Sequence, residues 1–527
     1  MNALKRTISA LIALLMLLPL FGCSDSVSNG GGFQALFRLE SSPESVPEPR
    51  EPEKLTQLDL PYDPNDTGSG KLLDPFSAST SANRYVCGLI YDPLFRLDES
   101  FHPQPCVAAA AEYSSVELSE FETAHFCTVT LKEGLHFSDG SDVTAADVLY
   151  SVSLALGTGS TYRDSLSNIM SYTSAEDGRI TFRLFTPDRM FESLLSFPIV
   201  KKDSPADNPL YIGSGRYRPV IVSGSLHLLR SEENGPDIGA IRLIDLVEVE
   251  DGDMLMYSLK IGLIDFAFFD LSDDASYNAA SGTQEVQLNN MVFLGFNGAS
   301  PLLSDVIIRQ AAALAADREA LLRAYSGMAA AACSPQNPLY LEAEGLYRER
   351  QPDVAAALEL LEQNGYDSRD EDGMLTARGG RLTLRLLVNS EDDRRSAAAG
   401  LIAEQFAQLG IEVLVEEHPF TEYTSMLALG DYDMYIGEIK LKADMDIAAL
   451  LPGGRAAYYT AAGEEFMDSY RSWRAGGSLS AFNKAFDEEL PFLPLLFRRG
   501  SVSFSRKLAY DVTATEQDIF YNILDWE

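Results

Sequence analysis

The chain has 527 residues, 41 Lys+Arg against 78 Asp+Glu, 46% apolar residues and 10% aromatics. That length exceeds one ordinary core and predicts two or three domains, and the apolar content excludes disorder over half the chain. A net charge of −37 without a basic run makes DNA and RNA poor partners, since phosphate binding needs clustered cations, and five His argue against a multi-His metal site.

The first segment reads as an address. Lys5 and Arg6 form a short positive region, and Ile8–Phe21 is an apolar run broken by Ser9 and Pro19. It is shorter than the roughly 18–20 apolar residues of a membrane span and matches the core of a signal peptide. It ends at Leu20-Phe21-Gly22-Cys23, which resembles a bacterial lipobox. Residues 1–22 are therefore expected to be a cleaved leader and Cys23 the lipid-attachment site. Loss of Lys5 and Arg6 with the leader takes the net charge from −37 to −39. The Ser-, Gly-, Pro- and Glu-rich stretch that follows cannot bury enough surface to fold alone. Residues 23–52 are read as a flexible tether that stands a folded body off a membrane.

Four cysteines remain beyond Cys23: Cys87, Cys106, Cys127 and Cys333. None shows C-x-x-C spacing. An exported chain permits a Cys106–Cys127 disulfide; four small buried apolar side chains is the simpler reading.

Residues 127–131 alternate as a strand does, and Leu135-His136-Phe137 is expected to resume it after a turn at Gly134. Asp139-Gly140 marks a second turn. Thr144 with Asp147 three residues later forms a capping-box pattern for a helix that stops at Gly157. Further along, Asp305 and Asp317 are placed to cap two helices, the second ending near Gly327. Leu382–Val388 reads as a buried strand, followed by a helix through Ala399, Ile402, Phe406 and Leu409 that Gly410 ends, and then a strand at Ile411–Val415. This β-α-β unit implies a parallel pair with a right-handed crossover and an α/β fold.

The segment LKEGLHFSDGSDVTAADVLYSVSLAL, at residues 131–156, resembles the signature of the extracellular solute-binding proteins of family 5, the substrate-binding components of peptide and nickel ABC importers. Gly134, Phe137, Asp139, Gly140, Thr144, Ala145, Asp147 and Val148 match its pattern. Segments 88–113, 211–219, 258–270, 293–322, 352–367 and 490–508 resemble further family segments in order, so the likeness spans about residues 55–510.

The resemblance implies a two-lobe, periplasmic-binding-protein-like α/β fold with an additional inserted domain and a hinge. Domain I is expected at 53–85, 207–285 and 498–527, domain II as an insertion at 86–206, and domain III at 286–497. It also implies an extracytoplasmic receptor, anchored to the membrane through a lipid on Cys23, that delivers a peptide or other small solute to an ABC permease. Peptide binders of the family hold the ligand's ammonium on an Asp in a W-x-x-D-Y-x-D-P-like segment. The matching stretch, Tyr435–Ile447, puts Asp444 in that place with Asp446 beside it, although Glu438, Met445 and Ile447 stand near the places of the Trp, Tyr and Pro. Asn297, Tyr85 and Tyr435 are the other candidate ligand-binding residues, the tyrosines as stacking walls along with Tyr432. Arg309 reads as a structural ion-pair partner and His136 as a strand residue.

No catalytic set, cofactor or resident metal is expected. The rival class is an exported hydrolase, yet the chain holds neither H-E-x-x-H nor G-x-S-x-G. A solute-binding scaffold reused as a sensor or adhesion lipoprotein is the third reading.

Overall fold

The computed structural model describes residues 56–526, apart from 69, 121, 206–207, 233–239, 250–251, 271–281, 378–379 and 509–510. The expected leader, tether and Cys23 lie outside the described residues. Among the described residues no helix is long and apolar enough to cross a membrane.

Local chemistry sets the helix starts. The backbone N–H and hydroxyl of Thr144 both donate to the Asp147 carboxylate (2.9 and 2.6 Å), which opens helix Ala145–Ala155. Asp305 caps Val306–Ala315 and Asp317 caps Arg318–Ala324, each carboxylate accepting a first-turn N–H. The second of these helices stops at Ala324, before Gly327. The strand expected at Leu135–Phe137 amounts to one bridge between His136 and Asp142, because the chain turns at Gly134 and Gly140, both at positive φ. Cys87, Cys106, Cys127 and Cys333 are free thiols, and all but Cys106 are buried.

Three sheets carry the architecture. The first runs Gln57–Tyr62, Leu243–Glu248, Ser225–Arg230 and Tyr217–Val222, with its first pair parallel. The second is an antiparallel sheet of Ala108–Ser119, Glu122–Leu131, Ile180–Leu184 and Ile169–Ser174. The third is mixed and runs Phe266–Phe269, Phe492–Phe504, Gly282–Phe296, Met434–Lys440, Thr383–Asn389 and Glu412–His418. Its far edge is the β-α-β unit foreseen above: Thr383–Asn389 and Glu412–His418 pair in parallel around helix Asp393–Leu409. Gly410 ends that helix at φ 82°, a left-handed conformation that favours glycine.

These elements build two large apolar cores. One gathers residues between Leu58 and Leu288 with Val502–Trp526; the other gathers residues between Met291 and Phe497. Among the described residues, only two paired strands run through both. Gly282–Phe296 gives Val286 and Leu288 to the first core and Met291–Phe296 to the second; Phe492–Phe504 does the same in reverse. Their pairing slips between Gln287 and Met291, a bulge that bends and twists the pair where it passes between the cores. The molecule is thus two-lobed, with a seam at that slip. Phe101, from the chain of the first core, is buried in the second at 3% exposure.

Candidate functional site: the seam between the lobes

The seam is organised by the segment that follows strand Met434–Lys440. Asn289, buried in the strand slip, accepts from the Leu441 N–H (2.8 Å) through its carbonyl and donates its side-chain amide to the Leu441 and Lys442 carbonyls (3.3 and 3.0 Å). The chain then folds into a turn, the Met445 N–H donating to the Lys442 carbonyl at 3.0 Å. Met445 sits at φ 55°, a left-handed conformation costly for a side chain of its size. Its side chain is fully buried, and that burial holds the turn.

Behind this turn lies a charge triad. Arg474, at the end of helix Glu464–Arg474, donates to Asp444 Oδ2 (2.5 Å) and to the Asp444 carbonyl (2.7 Å), and its guanidinium stands 2.9 Å from Asp188 Oδ1. Asp188 belongs to the other lobe's chain, and the Arg189 N–H next to it donates to the Arg474 carbonyl at 3.0 Å. All three side chains are buried. Burial pushes the Asp188 carboxyl up to about 7; Arg474 opposes this and Asp444 adds to it. Burial works against the Arg474 charge as well, but the Asp444 and Asp188 carboxylates more than offset it and raise its affinity for its proton.

In front of the turn is a cavity of about 310 Å³, within the lower range of solute pockets. One wall is Asp164 and Ser167; the other is Lys440, Lys442 and Asp446, with Arg455 at the rim. The Asp446 carboxylate faces the protein, accepting from the Tyr470 hydroxyl (2.5 Å) and the Ala448 N–H (2.9 Å). Lys440 pairs with Glu516 of the first lobe at 2.6 Å, and Arg455 with Asp164 at 2.7 Å. Lys442 Nζ reaches Ser167 Oγ at 3.4 Å. A second cavity of about 230 Å³ is walled by Asp98, Glu99, Phe101, Glu285, Gln287 and Glu516.

The residues named from sequence fall in several places. Asp446 lines the larger cavity; Asp444 stands behind it, its carboxylate bound by Arg474. Tyr85 is buried on helix Ser81–Ile90, donates to the Glu516 carbonyl (3.2 Å) and packs edge-on to Phe268. It therefore touches the seam through Glu516, which also accepts from the Asn289 N–H at 3.1 Å. Tyr435 is a core residue, edge-on to Phe293, Tyr432 and Tyr458. Its ring fills the space over Gly295, where a Cβ would come within 2.1 Å of it. Asn297 donates to the Gly430 and Tyr432 carbonyls (3.1 and 2.8 Å) and accepts from the Ala299 N–H (2.9 Å), fastening a loop away from the cavity. Arg309 is buried and donates to the Leu303, Glu489 and Leu490 carbonyls, a structural role.

Sequence reasoning missed Lys442, Arg474, Asp188, Asn289 and Glu516. One signal was available: Asn289-Asn290 interrupts an apolar strand pattern, which marks a bulge or junction. The partners of Arg474 and Lys442 come from distant chain and leave no local trace.

The comparisons with known proteins agree with the two-lobed fold. Residues 109–449 match the model of the bacterial extracellular solute-binding proteins, family 5. Protein XP55 of Streptomyces lividans is 26% identical over 347 residues, an alignment that takes in 62% of this chain and 61% of that one. The oligopeptide-binding protein AppA of Bacillus subtilis is 23% identical over 445 residues, covering 78% of this chain and 76% of its own. Among solved structures, a nickel ABC transporter from Bacillus halodurans superposes with a TM-score of 0.70 at 16% identity, over 88% of this chain and 98% of that one. The chain belongs to the bacterial extracellular solute-binding proteins of family 5.

Proposed function

We propose that this chain is the substrate-binding lipoprotein of a bacterial ABC importer, which captures a short peptide or a solute of similar size between its lobes and hands it unaltered to a membrane permease. In this reading residues 1–22 are removed on export and Cys23 carries the lipid. The body divides into 53–85, 207–285 and 498–527 with 86–206 inserted, facing 286–497, and the lobes move about the two strand crossings. One observation carries the proposal: a cavity of about 310 Å³ lies on a seam crossed by two paired strands, with walls from both lobes. A solute there gains contacts with both lobes only when they are together, so binding favours the closed form. The relative named for oligopeptide binding supports the solute class, and the size of the cavity favours its short members.

The test combines a thermal-shift screen of amino acids, dipeptides and tripeptides with X-ray scattering. A solute at a hundredfold its Kd is expected to stabilise the native state by about 2.7 kcal/mol, to reduce the radius of gyration, and to be recovered intact by mass spectrometry. Recovery of a cleaved solute would instead establish the hydrolase reading.

A further inference from the structure

The charge balance at the larger cavity runs against that of the chain. The protein carries 41 cations against 78 anions, yet three of the five ionic residues lining the cavity are cations: Lys440, Lys442 and Arg455 against Asp164 and Asp446. Four of these five are already answered. Lys440 is paired with Glu516 and Arg455 with Asp164. Asp446 is turned onto the Tyr470 hydroxyl and the Ala448 N–H. That leaves Lys442, whose ammonium meets the Ser167 hydroxyl at 3.4 Å and, among the described residues, no carboxylate within ion-pair distance. Asp444, the acid that the family resemblance nominates for an ammonium, is buried against Arg474 and does not line the cavity.

The position of Lys442 is held, not loose. Its carbonyl accepts from Asn289 and from the Met445 N–H, so its stem is tied to the strand slip and to the strained turn. Among the described residues, its side chain's hydrogen bond to the opposite lobe is to the hydroxyl of Ser167. A hydroxyl can donate to an anion while accepting from the ammonium, so the pair presents two donors from two lobes to one acceptor.

We propose that Lys442 and Ser167 form an anion subsite, which selects solutes by a carboxylate and draws the lobes together on it. The polarity of recognition is thus the reverse of an acid that anchors an ammonium. This inference rests on the capture reading above and names the solute chemistry of that site.

The experiment compares matched pairs of amino acids and dipeptides, each as the free acid and as the C-terminal amide, by calorimetry on the wild type and on Lys442→Met, Lys442→Arg and Ser167→Ala. The free acids are expected to bind at least tenfold more tightly than their amides. Lys442→Met abolishes that preference, Lys442→Arg keeps most of it, and Ser167→Ala weakens it severalfold. Unfolding midpoints of all variants, measured without solute, control for stability. Equal affinity for acid and amide, or an acid preference that survives in Lys442→Met, overturns the subsite and leaves capture standing. If no member of any pair binds and scattering records no compaction, capture and the subsite fall together.

Discussion

Two cations of the same lobe face the seam and meet opposite fates. Arg474 is buried, shared by Asp444 of its own lobe and Asp188 of the other. Lys442 stands at a cavity mouth with a hydroxyl for company. The difference is one of desolvation. A charge taken fully from water must be answered by the protein itself, and the answer makes it structural. A charge left part-solvated beside a void keeps its capacity for a solute. The family's nominated acid, Asp444, falls on the structural side of this line because Arg474 reaches it first.

The comparison breaks most decisively at Arg474. Arg474→Met removes the guanidinium shared by two buried acids and leaves Asp444 without its ion-pair partner, and is expected to cost about 3–5 kcal/mol of stability in denaturant unfolding. A loss below about 1 kcal/mol would show that the triad is solvated and that the contrast with Lys442 is unfounded.

Asp188 sharpens the contrast through pH. Its carboxyl titrates at about 7 in the folded protein against an ordinary 3.8, because burial disfavours its charge. Between those values the folded state keeps a proton that the unfolded state has released. The contribution of Asp188 to stability is therefore fully present below about pH 4 and is lost as pH rises through about 7, by at most about 1.4 kcal/mol per pH unit. Asp188→Asn cannot ionise and lacks this slope, so the variant should gain on the wild type between pH 4 and 8. A stability difference that stays flat over that range would remove Asp188 from the account.

Tyr470→Phe probes the border between the two regions. It removes the hydroxyl that holds Asp446 and should cost about 1 kcal/mol of stability. It should also free a carboxylate to face the cavity, so affinity for anionic solutes falls while affinity for their amides holds. The smallest effect is expected at Lys442 itself. Lys442→Met should change stability by no more than about 0.5 kcal/mol, as for a part-exposed side chain without a structural partner.

Several features were legible before any tertiary information because they are local. A carboxylate three residues beyond Thr144, acids just ahead of the helices at Val306 and Arg318, and a glycine after Leu409 all act within one turn of helix, so neighbours in sequence decide them. The β-α-β unit followed from alternation and helical spacing for the same reason. The site was less legible. Asp446 was named and lines the cavity, but Tyr435, Tyr85 and Asn297 are held by core and loop contacts. An aromatic or amide side chain has the same appearance in sequence whether it faces a core or a cleft.

The amino-acid order by itself determined the capped helix starts, the stop at Gly410, the α/β class and the family, since each rests on short-range geometry or on a long ordered pattern. Only the tertiary structure decided which acids and bases are consumed by one another. Ionic partnership depends on distance through space and on exclusion of water, and both are set once Asp188, Asp444 and Arg474 are brought into one dry pocket while Lys442 stays at the edge of a wet one.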